Sequence, residues 1–123
     1  MSTSVVLVTA PFLSVVRPSL GVSNLKAALS EAGISSRIEY LNISYADQIG
    51  VDLNEYITEK LPNILLVGEW VFSELVNRRP SPASAVEHIR QMRQFIPEAK
   101  LKEIASLRSS VAQFVEESAR RLV

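Results

Sequence analysis

The sequence contains no cysteine and one histidine, and its 123 residues include only four glycines and a single tryptophan. The missing thiols exclude disulfide staples, thiolate zinc sites, cysteine nucleophiles and any cysteine-held iron–sulfur cluster within this chain. One histidine excludes His-rich metal sites and leaves little for His-based catalysis. Demanding chemistry would therefore have to come from a bound cofactor or a partner chain. Net charge is also lacking, because 13 Lys+Arg balance 13 Asp+Glu.

That balance hides an asymmetry. Residues 1–75 hold 4 Lys+Arg against 8 Asp+Glu, a net of −4, and residues 76–123 hold 9 against 5, a net of +4. The halves can attract each other or a second copy of the chain. Aromatics do not alternate with the basic residues as stacking platforms require, so solvated helices are expected rather than a nucleic-acid interface. The run Val5-Val6-Leu7-Val8 is too short for a signal h-region and has no positive flank before it. No apolar run approaches the span of a membrane helix, so the expectation is a cytoplasmic chain with no membrane contact.

What is present has a clear order. Residues 4–9 form a β-branched run closed by Ala10-Pro11, which predicts a strand buried on both faces in a parallel sheet. A loop holding Pro11 and Pro18 follows. From Ser19 the pattern turns helical, with Leu20, Leu25, Ala28, Leu29 and Ala32 at helical spacing, and Gly33 stands where a helix stops through positive φ. Residues 36–43 alternate, with Ile38, Tyr40 and Asn42 on one face and Arg37, Glu39, Leu41 and Ile43 on the other, which predicts a second strand. Strand, loop, helix, glycine and strand within about forty residues is the grammar of a right-handed βαβ unit.

The remainder reads as helical. Residues 45–60 carry Tyr45, Ile49, Leu53, Tyr56 and Ile57 on one stripe, ended by Pro62. Residues 64–67 are open between a third strand and the start of a helix running through Trp70, Phe72 and Leu75. Residues 77–82 are a loop, followed by a helix to about Phe95 with Ser81 as N-cap, or Ser84 failing that. After Pro97 a last helix runs from Glu98 to about Leu122, with Ile104, Leu107, Val111 and Phe114 as one apolar stripe facing a core or a partner. The expected architecture is α/β: a Rossmann-like βαβ start with two or three parallel strands, then three or four helices. Residues 1–76 hold the βαβ segment with its following helix, and 77–123 hold the helical segment, packed as one unit.

Two places could carry chemistry. Ligands in open α/β sheets sit beyond the carboxyl ends of strands, which here is the loop 10–21 and the helix start after it. Neither GxGxxG nor GxxxxGK[ST] occurs, so a plain proline-stiffened connection stands beside the ligand-loop reading. Gly68-Glu69-Trp70 pairs a carboxylate with the only tryptophan, against the alternative of a core tryptophan beside an exposed glutamate. His88 has no second histidine at i+4 and reads as a surface residue, and nothing ties a serine to it as a triad would require.

The segments Val6-Leu7-Val8-Thr9-Ala10-Pro11-Phe12, Arg17-Pro18-Ser19-Leu20-Gly21, Leu25-Lys26-Ala27-Ala28-Leu29 and Ala32-Gly33-Ile34 together resemble one known family. Tyr40-Leu41-Asn42, Ala46-Asp47-Gln48-Ile49-Gly50 and Leu66-Val67-Gly68-Glu69-Trp70-Val71-Phe72 extend the resemblance. The family is the cobalamin-dependent radical S-adenosylmethionine enzymes that mature ribosomally made peptides, many of them C-methyltransferases, whose N-terminal part is a Rossmann-like cobalamin-binding domain. The resemblance implies cobalamin as cofactor, with Pro11, Phe12, Arg17, Pro18, Ser19, Leu20, Gly21, Glu69 and Trp70 at its edge. The family's CxxxCxxC cluster motif is absent, as is the DxHxxG motif, so His88 is not carried over as a lower axial ligand.

The implied protein is an accessory N-terminal segment, with no catalysis and no iron–sulfur cluster of its own, stopping near the next core strand of such domains. The rival is a stand-alone module that binds a precursor peptide or partner enzyme and no cofactor. A small-ligand enzyme using Glu69 would be a third reading, for which no second catalytic group is visible. A two-stranded sheet is marginal alone and its edges need covering, so partner contact or a homo-oligomer is expected, with the last helix's stripe as contact surface.

Overall fold

The computed structural model describes residues 5–76 and 82–122. Strand β1 (Val5–Thr9) is followed by a loop and by helix α1 (Leu20–Glu31), and strand β2 (Ser36–Tyr40) pairs with β1 in parallel. The register sets Leu7 opposite Ile38 and Thr9 opposite Tyr40. Ser19 caps α1 by accepting from the Val22 N–H, and Gly33 ends it at φ 76°, as its position predicts. The sheet has two strands, so each strand has an outer edge without a described partner. No third strand forms at residues 64–67. Asn63–Leu65 make a 3₁₀ turn, Leu66 takes the left-handed conformation, and helix α4 (Val67–Val76) begins directly after it.

The second strand stops earlier than alternation predicts, because Leu41 opens helix α2 (Leu41–Ile49) immediately after Tyr40. Leu41 and Tyr45 lie one helical turn apart and are both buried, so burial at helical spacing overrides the strand-like alternation through Ile43. The helix expected over residues 45–60 is divided at Gly50, φ 98°, into α2 and helix α3 (Val51–Glu55), which runs on into a π-helical turn at Tyr56–Lys60. Helix α5 (Pro82–Phe95) starts on proline as expected. The predicted cap Ser81 lies outside the described residues, and Ser84 sits within the helix.

The single last helix is instead two, α6 (Glu98–Ser106) and α7 (Val111–Leu122), separated by a 3₁₀ turn at Leu107–Ser109. The cause is local. The hydroxyls of Ser106, Ser109 and Ser110 donate back to the carbonyls of Glu103, Ser106 and Leu107, competing with the helical ladder where three serines fall within five residues. Six α-helices therefore follow β2 among the described residues, rather than three or four.

The core is helical. Its buried residues run from Leu41, Tyr45, Leu53 and Ile57 through Val67, Val71 and Met92 to Ile104, Val111 and Phe114, joining both halves of the chain in one cluster. The stripe Ile104, Leu107, Val111 and Phe114 is wholly inside it, which removes that stripe as a contact surface. No residue of β1, α1 or β2 belongs to the cluster of buried residues. Strand β1 is not buried on both faces: Val5, Val6 and Leu7 are half-buried, Val8 is exposed and Thr9 alone is buried. Helix α1 has no buried residue, and Leu20 and Leu25 are 71% and 55% exposed. The coarse α/β expectation holds, with the βαβ unit attached to the outside of a helical core.

Candidate functional site

The loop 10–19 leaves the carboxyl end of β1, and the helical body holds it there by polar contacts. The Thr9 hydroxyl donates to Asn42 Oδ1, and Asn42 Nδ2 donates to the Ser14 carbonyl at 3.4 Å. Asn54 Nδ2 donates to the Leu13 carbonyl at 3.2 Å. The Glu55 carboxylate accepts from the Val15 N–H at 2.8 Å and from the Ser14 hydroxyl at 3.0 and 3.2 Å. Burial pushes the Glu55 carboxyl up, but donation from Val15, Ser14, Asn54 and Val16 outweighs it and holds the group below its ordinary 4.5. Asn42, Asn54 and Glu55 are thus the residues that shape this loop, and sequence reasoning missed them. Their spacing carries little signal, since Asn54 and Glu55 are neighbours on a helix and Asn42 sits where a strand is expected.

One cleft opens where this loop meets α4. It has a volume of about 470 Å³, and Pro11, Phe12, Thr58, Gly68, Glu69 and Phe72 contribute to its walls. The Phe12 ring meets Tyr45 edge-on at 5.3 Å and Phe72 at 6.0 Å. It covers Gly68 so closely that a Cβ there would lie 2.7 Å from Phe12 Cδ2. Pro-Phe and Gly-Glu-Trp, separate in sequence, therefore share one contact.

The other predicted residues point elsewhere. Arg17, Pro18 and Ser19 line a smaller cleft of about 330 Å³ with Tyr40 and Asn42, and the Arg17 guanidinium pairs with Glu59. Trp70 lines a third cleft, about 670 Å³, between α4 and α5, and Glu69 at the rim borders both this and the first. Leu20 and Gly21 open α1 and line none of these clefts. The nine residues do not converge on one bed. Trp70 is half-buried rather than a core residue, and Glu69 is exposed.

His88 is half-buried, with Nε2 2.6 Å from the Leu65 carbonyl and its ring edge-on to Trp70 at 6.5 Å. It lines the Trp70 cleft and not the one bounded by Pro11 and Phe12, so it stands apart from the sheet edge. Among the described residues no group of three or more His, Asp or Glu is arranged to hold a metal. No helix among them is long and apolar enough to cross a membrane. Cations of the basic half are engaged by neighbouring carboxylates, Arg90 with Glu87, Arg93 with Glu98, Lys100 with Glu103, Arg108 with Glu74 and Arg120 with Glu116. No known family, curated protein or solved structure matches the chain.

Proposed function

We propose that the chain is a non-catalytic, accessory segment that works by joining its Rossmann-like βαβ unit to another polypeptide. The observation that carries this reading is the position of that unit. β1, α1 and β2 contribute no residue to the buried apolar cluster, α1 buries no side chain, and the sheet keeps two outer edges without described partners. Parallel strands normally have both faces covered, and two strands alone are marginal, so the unit is half of a larger layered arrangement. The resemblance gives the joining polypeptide a chemistry: the remainder of a corrinoid-binding, peptide-maturing radical enzyme, with cobalamin as its methyl carrier.

On this reading the corrinoid bed is shared. Pro11 and Phe12 supply an apolar wall beside the sheet edge, Glu69 supplies one polar group, and the joining polypeptide supplies the rest. A second reading, a protein- or peptide-binding module without cofactor, is favoured by a specific observation. The polar groups of the loop are already engaged by Asn42, Asn54 and Glu55, and Arg17 by Glu59. Mixing the purified chain with hydroxocobalamin, desalting, and recording the visible spectrum separates the two. A retained corrinoid spectrum that is lost in Phe12→Ala supports the shared bed. A corrinoid-free protein after desalting leaves the cofactor-free module as the reading.

A further inference from the structure

We propose that β1 pairs edge to edge and antiparallel with β1 of a second copy of this chain, making one four-stranded sheet in the order β2-β1-β1-β2. This rests on the reading above and names the partner and the edge it takes. The two edges of the sheet are not alike. The Val5 N–H donates to the Ser35 carbonyl at 3.2 Å, so Val5, Leu7 and Thr9 turn their backbone groups toward β2. By alternation, Val6 and Val8 aim theirs outward, as do Ser36, Ile38 and Tyr40 on β2. The outward Ser36 carbonyl is already taken by Lys26 Nζ of α1 at 2.5 Å. A lysine at an outer strand is a common guard against added strands. The β1 edge has no such guard. Val5–Thr9 holds no charged residue and no proline, and Val8 is 40% exposed. Among the described residues nothing hydrogen-bonds to the outward backbone groups of Val6 and Val8.

Helix α1 points to a second copy as the occupant. It lies over both strands, and its flank above β2 is polar, where Ser23, Lys26 and Ser30 border a cleft with Arg37 and Ile38. Helical spacing puts Gly21, Leu25 and Ala28 on the opposite flank, beside the free edge of β1, and all three are exposed. A lone extended peptide would pair with β1 and leave that flank bare. A second copy brings its own α1 to cover it. Strands lie about 4.8 Å apart, so two helices seated over adjoining strand pairs stand about 10 Å apart, at the upper end of helix packing distances. The strand is also its own complement. Val6 faces Val8 of the second copy in hydrogen-bonded pairs that make about four ladder bonds, and Leu7 faces Leu7 of the second copy between them. Two-fold symmetry makes the halves equivalent and leaves the guarded β2 edges outermost, which stops growth at two chains.

The chain has no cysteine, so one introduced thiol reports the pairing. In a non-hydrogen-bonded antiparallel pair the α-carbons are about 4.5 Å apart, a distance that a disulfide spans. The full chain carrying Leu7→Cys, oxidised with diamide under native conditions, should give a covalent dimer. Ile38→Cys, at the position opposite Leu7 on β2, should not. Val8→Lys supplies β1 with the missing guard and should weaken dimerisation at least about tenfold in sedimentation velocity, with the circular dichroism of the folded parent. Absence of a covalent Leu7→Cys dimer in a chain that does associate overturns the edge pairing and leaves the broader reading standing. Ile38→Cys that cross-links as readily as Leu7→Cys overturns it in the same way, as does association undiminished in Val8→Lys. A parent chain that stays monomeric to millimolar concentration overturns both.

Discussion

The ring of Phe12 lies against the α-carbon of Gly68, leaving 2.7 Å between Phe12 Cδ2 and the place a Cβ would occupy. The contact joins the loop after β1 to the first turn of α4, and Phe12 in turn meets Tyr45 and Phe72. Gly68→Ala should gain at most about 1 kcal/mol of helix propensity and lose more to the displaced ring, for a net destabilisation of about 1–2 kcal/mol. In a Phe12→Ala background the same substitution becomes neutral or stabilising. Denaturant unfolding of the four proteins, read as a double-mutant cycle, checks this, and additive effects would refute the contact.

Tyr45 buries its hydroxyl without a hydrogen-bond partner among the described residues, and burial pushes its phenol from 10.0 up to about 12. An unmatched buried hydroxyl costs about 1–3 kcal/mol. Tyr45→Phe should therefore stabilise the chain by about 1 kcal/mol. The folded value lies above the unfolded one, so this group's share of stability is intact below pH 10 and lost as the pH rises toward 12. Thermal unfolding across that range should show the extra loss in the parent protein and not in Tyr45→Phe.

Glu55 behaves in the opposite sense. Its carboxyl titrates below the ordinary 4.5 because Val15, Ser14 and Asn54 donate to the anion. Its contribution is present above pH 4.5 and is lost as the pH falls through the lowered folded value. Glu55→Ala should cost about 1–3 kcal/mol at neutral pH, and Glu55→Gln should flatten the acid limb of stability while keeping the packing. Equal acid sensitivity of parent and Glu55→Gln would remove this carboxylate from the loop's support.

Leu66 holds a left-handed backbone that asparagine adopts more easily. Leu66→Asn should raise stability by about 1 kcal/mol and Tm by about 3–6 °C, read by thermal unfolding. A variant no more stable than the parent would show that the left-handed conformation of Leu66 carries no strain.

The parts legible in the sequence are those with one local cause. Gly33 and Pro82 marked helix ends because positive φ and a missing N–H each act within a few residues. The helix break at residues 107–110 was equally local, yet hidden, because three serines competing for backbone carbonyls look like ordinary helix surface. The end of β2 was decided at a distance, by the burial of Leu41 and Tyr45 against residues such as Phe114, whose ring is 4.8 Å from Tyr45. The candidate site shows the same division. Phe12 and Gly68 were visible as separate motifs, whereas Arg108 over Trp70 joins residues 38 positions apart, and no local pattern relates them.

The central claim is that the α1 face and the sheet edges are completed by another polypeptide, for which a second copy can stand in. Sedimentation velocity of the full chain, from micromolar to millimolar concentration, tests it most directly. Comparison with a Leu20→Glu/Leu25→Glu variant, altered only at exposed positions of α1, assigns the surface. The account predicts reversible, concentration-dependent association of the parent chain that the double variant loses. A parent chain that remains monomeric to millimolar concentration, or a variant that associates equally well, would contradict it.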